Sequence, residues 1–84
     1  MQPNPHAQIR DYIRATFFVE QFDDDDSFLQ TGIIDSTGML ELIDFVEQEF
    51  EVEIDESELV PANLDSVSNL AAFIERKRAQ ALAG

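Results

Sequence analysis

Three stretches of this chain repeat apolar side chains at steps of three and four, and the spacing fits one face of a helix. Ile9, Tyr12, Ile13, Thr16 and Phe17 form the first stripe, and Met39, Leu42, Ile43, Val46 and Phe50 the second. Val67, Leu70, Ala71 and Ile74 form the third. With 84 residues, 44% of them hydrophobic, such faces can enclose one core and one domain, residues 1–84, and a deep catalytic cleft would compete with that core for residues. The chain is expected to be a binding module and not an enzyme.

Punctuation refines the boundaries. Asn4-Pro5 reads as an N-cap followed by proline at the first helical position, where its missing N–H costs no helical bond. The first helix is therefore predicted over residues 5–20. Residues 21–35 lose periodicity, yet Phe22, Phe28, Leu29, Ile33 and Ile34 anchor them as a long packed loop. The second helix is predicted over 36–50, with Phe45 widening its apolar face. EVEID (51–55) alternates like a strand but has no evident partner and is read as loop. Asp55 can cap a short third helix over 56–60, which Pro61 should stop, because the residue before proline avoids helical angles. Ser66 caps a fourth helix over 66–80, where Arg76, Lys77 and Arg78 suit the negative helix end, and the tail AQALAG is expected to fray. The fold class is all-α: a four-helix bundle with three longer helices, one short third helix and a long loop between helices one and two.

Charge narrows the function. The chain carries 18 acidic and 5 basic residues, a formal net charge of −13, and no Lys or Arg occurs from Ala15 through Glu75. A uniformly negative middle repels phosphate backbones and anionic headgroups and speeds encounter with Lys- and Arg-bearing partners. Neither nucleic acid nor a membrane is an expected partner. The chain has no Cys, which excludes disulfides and thiolate metal sites. His6, the one histidine, is read as a surface residue, and Asp23-Asp24-Asp25-Asp26 lacks the ligand register of a calcium loop, so no metal site is expected. The opening MQPNPHAQIR has no signal-peptide core and no run is long enough to span a bilayer. A cytoplasmic monomer is the expectation.

IIDSTGMLEL (33–42) is the informative stretch. Serine often caps a helix, but Asp35 is an equally good cap and its carboxylate suits the positive end of the macrodipole. If Asp35 caps, Ser36 becomes the first helical residue and can project outward at the helix mouth, where free N–H groups favour an attached phosphate. If Ser36 caps, the chain is an ordinary small bundle. Along the second helix, Thr37, Glu41, Asp44 and Gln48 cluster opposite the apolar stripe, with Leu40 and Glu47 on their flank. Leu40 either widens the core face or meets a partner.

A long anchored loop before the serine, an acidic helix after it and a short helix before the last one together resemble the acyl carrier protein family, most sharply from Gly32 to Ile54. The resemblance implies that Ser36 bears 4′-phosphopantetheine through a phosphodiester, with Asp35 as the neighbouring cap, and that the arm's thiol holds an acyl thioester. It implies loading by a phosphopantetheinyl transferase from coenzyme A, and service to acyl ligases, transferases and synthases in fatty acid, polyketide or related lipid metabolism. It also implies that basic partner patches read Glu41, Glu47 and Asp44, beside Thr37 and Leu40. Thr37 and Gly38 depart from the leucine and acidic residue of many fatty-acid carriers. Gly-Ile-Ile-Asp-Ser-Thr-Gly looks closer to D-alanyl carrier proteins, which leaves an aminoacyl or peptidyl carrier loaded by an adenylating ligase as the alternative. Gly38 is expected to let a partner approach closely. From another class, the chain could be an unmodified acidic adaptor. A serine hydrolase is disfavoured, because no base accompanies Ser36.

Overall fold

The structure, a computed structural model, describes residues 4–83. Its first helix, α1 (Pro5–Phe17), starts where Asn4 Oδ1 accepts the His6 N–H at 3.0 Å and buries Ile9 and Ile13 completely. It ends three residues before the expected Glu20. Phe18 turns into the left-handed region at φ 57°, and its N–H donates to the Arg14 carbonyl at 3.1 Å, which closes the last turn.

The expected loop contains a further one-turn helix, α2 (Phe28–Thr31). Ser27 caps it by accepting the Gln30 N–H at 3.1 Å, and Gly32 ends it at φ 77°. Asp65 holds it from a distant part of the chain. The Asp65 carbonyl accepts from Phe28 N–H at 2.8 Å, one carboxylate oxygen accepts from Leu29 N–H at 3.0 Å, and the other accepts from the Ser27 hydroxyl. Phe22, Phe28 and Ile34 are buried as expected of loop anchors, but Leu29 is 47% exposed. The aspartate run is a folded turn. Asp26 Oδ2 accepts from Asp23 N–H, Arg10 reaches Asp24 at 2.7 Å, and the Asp24 carbonyl accepts from Ser68 N–H at 2.9 Å. Among the described residues no cluster of His, Cys, Asp or Glu could hold a metal ion.

The third helix, α3 (Ser36–Phe50), buries Leu42, Val46 and Phe50. Its Phe45 stacks on Tyr12 of α1, with ring centroids 4.0 Å apart. Glu51 ends α3 at φ 55°. Among the described residues there is no strand, and Val52 and Ile54 pack against the core from an irregular segment. The expected helix over 56–60 is instead a 3₁₀ turn, Glu56–Glu58, followed by α4 (Pro61–Leu64). Pro61 opens a helix where it was expected only to stop one. Val60 before it is extended, as a residue preceding proline prefers, and proline fits the first helical position.

The last helix, α5 (Val67–Ala83), starts where Ser66 Oγ accepts the Asn69 N–H at 3.0 Å. It runs past the predicted end at residue 80 and through the tail expected to fray, of which Gly84 lies outside the described residues. The basic residues expected at its end therefore sit within it and act across the fold. Lys77 pairs with Glu58 at 3.0 Å, Arg76 donates to Asn63 at 3.1 Å, and the Arg78 guanidinium lies 5.1 Å from the centre of the Phe50 ring. Among the described residues the architecture is thus all-helical, with five α-helices instead of four: α1, α3 and α5 are long, and α2 and α4 are single turns. Their shared core also takes in Phe22, Phe28, Ile34 and Leu64.

Glu58 ties the 3₁₀ turn to α5. Its carboxyl is held below the ordinary value of 4.5, first by the Asp55 N–H, which donates at 2.9 Å, and then by the Lys77 ammonium. A lowered folded value means that the stabilisation is complete above about pH 4.5 and is lost as pH falls through the lowered value. Thermal melts of wild type and Glu58→Gln across that range should show the variant less stable near neutrality and the gap closing in acid.

Candidate functional site

The mouth of α3 is built by its approach segment. Ile34 is 1% exposed, and its N–H donates to the Phe28 carbonyl at 3.3 Å, so the chain enters the helix from a fixed point in the core. Asp35 is extended, at φ −90° and ψ −176°, and its Oδ1 accepts the Gly38 N–H at 2.7 Å. The Asp35 carbonyl accepts from Met39 N–H at 2.8 Å. Asp35 is therefore the N-cap, and the choice that sequence left open is resolved in its favour.

Ser36 is the first helical residue and is exposed, as is Thr37. The cap engages the amides of Gly38 and Met39, so the Ser36 and Thr37 amides stay outside the capping bonds at the positive end of the helix dipole. A hydroxyl on an exposed first-turn residue beside such amides suits a phosphoryl group attached to it. His6 lies in the first turn of α1, whereas Phe17, at the other end of α1, abuts Gly38. Eleven helical steps separate His6 from Phe17, about 16 Å at 1.5 Å per residue.

The outer face of α3 presents Thr37, Leu40, Glu41 and Asp44 together. All four are exposed, and Leu40 at 67% belongs to the surface and not to the core stripe. Glu47 departs from the expectation. It is half-buried, and its Oε2 accepts the Ile54 N–H at 3.0 Å, so its charge anchors the segment after α3 instead of facing outward.

Gly38 is also corrected. It is buried, and a Cβ there would lie 2.7 Å from Phe17 Cε1, 3.0 Å from Ile34 Cγ2 and 3.2 Å from Asp35 Oδ1. The space that glycine leaves is filled by the chain's own Phe17. Phe17 and its exposed neighbour Phe18 were absent from the expected site residues, although two adjacent phenylalanines cannot both face the core of one helix.

These contacts set opposite expectations for one substitution. Helix propensity alone would make Gly38→Ala stabilising by about 0.5 to 1 kcal/mol. The close approach of Phe17 should instead make it destabilising, by about 1 kcal/mol or more. The urea midpoint of the variant decides between them.

Comparison with known proteins agrees with the geometry. The family described as phosphopantetheine attachment site matches residues 7–74. The chain is also similar to the probable acyl carrier protein PigG of Serratia sp. (strain ATCC 39006), with 36% identity over 50 residues. That match covers 60% of this chain and 58% of the relative, so the chain spans little more than half the length of the relative it matches.

Proposed function

Because this chain belongs to the acyl carrier protein family, whose attachment site holds 4′-phosphopantetheine on a serine, we propose that Ser36 is that serine and that the arm carries acyl groups as thioesters. One observation carries the reading: Asp35 takes the cap, and Ser36 stands exposed at the helix mouth. A phosphopantetheinyl transferase moves the group from coenzyme A onto Ser36 Oγ. The hydroxyl proton leaves to a base of the enzyme, and adenosine bisphosphate departs with the other half of the diphosphate. The chain itself catalyses nothing. It presents the loaded arm to ligases, acyltransferases or synthases of a fatty acid, polyketide or related pathway.

Thr37, Leu40, Glu41 and Asp44 form the face such enzymes would meet with Lys and Arg side chains around an apolar spot. Exposed ion pairs contribute only about 0 to 1 kcal/mol each, so the acidic residues govern encounter and orientation more than final affinity. Weak docking suits a chain that must leave one enzyme for the next. The aminoacyl alternative drew on the two isoleucines before Asp35 together with the glycine after Thr37, and the packing of Gly38 against Phe17 accounts for the glycine within this fold. An acyl cargo is therefore the preferred reading, and the name of the Serratia relative lends it support.

Intact-mass measurement after coexpression with a broad-specificity transferase should show one added phosphopantetheinyl group on wild type and none on Ser36→Ala. An unshifted wild-type mass would favour the unmodified adaptor. An added group retained by Ser36→Ala would move the attachment to another residue.

A further inference from the structure

We propose that the corner at the end of α1, made by Arg14 and Phe18, is a second docking point for the transferase that loads Ser36, received there by an apolar socket with a carboxylate beside it. The inference rests on the assignment of Ser36 as the attachment residue.

Phe18 is anomalous in two independent respects. It is 88% exposed, more than any other large apolar side chain among the described residues, so the fold gains almost nothing from its ring. Its backbone is also left-handed, at φ 57° and ψ 41°, a conformation that favours glycine and is rare for bulky residues. Neither burial nor backbone preference accounts for phenylalanine here. Strain retained at an exposed residue is a reason to look for a function of that residue.

Arg14 is the second observation. Arg10 is paired with Asp24 and Lys77 with Glu58, Arg76 is bonded to Asn63, and Arg78 lies over the Phe50 ring. Arg14 is exposed and, among the described residues, has no comparable partner. It shares an open surface hollow with Phe18, Val19 and Glu20. One uncommitted cation beside an exposed ring, on a chain of formal net charge −13, calls for a partner group of the opposite sign to the patch that would face Glu41 and Asp44.

Position selects the occupant. Phe17 packs against Gly38, two residues from Ser36, so the end of α1 abuts the first turn of α3. Enzymes that act on the thiol at the far end of the arm need not cover this corner. The transferase reacts at Ser36 Oγ itself and must lie over this end of the molecule. A ring inserted in a socket supplies contact area, while a rim ion pair at Arg14 and others along α3 fix its orientation.

The test is steady-state loading of the apo chain by a broad-specificity phosphopantetheinyl transferase with coenzyme A, together with thermal melts. Phe18→Gly and Arg14→Glu should each raise the KM for the apo chain about fivefold or more with kcat unchanged, the first by emptying the socket and the second by reversing the charge at its rim. Phe18→Gly should also melt higher than wild type, because the strained backbone is relieved, which separates lost docking from lost folding. Leu29→Ala, an exposed apolar truncation on α2, serves as the control and should load like wild type. Wild-type KM in both corner variants would overturn the docking point while leaving Ser36 as the attachment residue. A wild-type chain that gains no mass at all would overturn both.

Discussion

The hydrogen bond from the Gly38 amide to the Asp35 carboxylate decides what the rest of this molecule can be used for. A helix start needs a side-chain acceptor for its first free amides, and whichever residue supplies it is committed to that task. Here Asp35 is committed and Ser36 is released, exposed, one residue into α3. The surroundings hold this arrangement in place. Ile34 is fixed in the core before the cap, and Gly38 admits the Phe17 ring directly behind it, so α1 braces the first turn of α3 from inside. A side chain at position 38 would press on Phe17, Ile34 and the capping carboxylate at once. The glycine therefore serves the geometry of the mouth.

Charge is divided between inside ties and an outside field. Three of the five cations tie short segments to the long helices. Arg10 fixes the aspartate turn and Lys77 fixes the 3₁₀ turn, while Arg76 bonds to α4. Glu47 and Asp65, although acidic, are likewise turned to structural use through backbone amides. What remains outward on α3 is a short anionic face with one leucine in it. That face is suited to brief, oriented encounters, because its ion pairs are exposed and screened. Family membership thus supports a carrier role, and the exposed anionic face is compatible with the proposed docking.

The starts of the three long helices were legible in the sequence, as was the end of α3 at Phe50, whereas the ends of α1 and α5 were not. Asn4-Pro5, Asp35 and Ser66 are local signals, since a cap acts within three residues of itself. Helix α1 ends in a left-handed residue, Phe18, where glycine would have announced the stop. α2 escaped notice because four residues show no period, and because the groups that hold it come from Asp65, far along the chain. Pro61 was read as a stop although it opens α4; a proline forbids helix behind it and permits helix ahead of it. At the site, angular position placed Glu41 and Asp44 on the outer face and left Leu40, which is exposed, open between core and surface. It could not reveal that Glu47 reaches past the end of its helix to Ile54, or that Gly38 faces a ring from α1. Both are tertiary contacts with no trace in the spacing of α3 itself.

The capping assignment is tested most directly by amide hydrogen exchange at Gly38, compared among wild type, Asp35→Ala and Ser36→Ala. If the Asp35 carboxylate holds that amide, its protection falls in Asp35→Ala and stays at the wild-type level in Ser36→Ala. Loss of protection in Ser36→Ala, with Asp35→Ala unchanged, would show that the serine is the cap and would contradict the account.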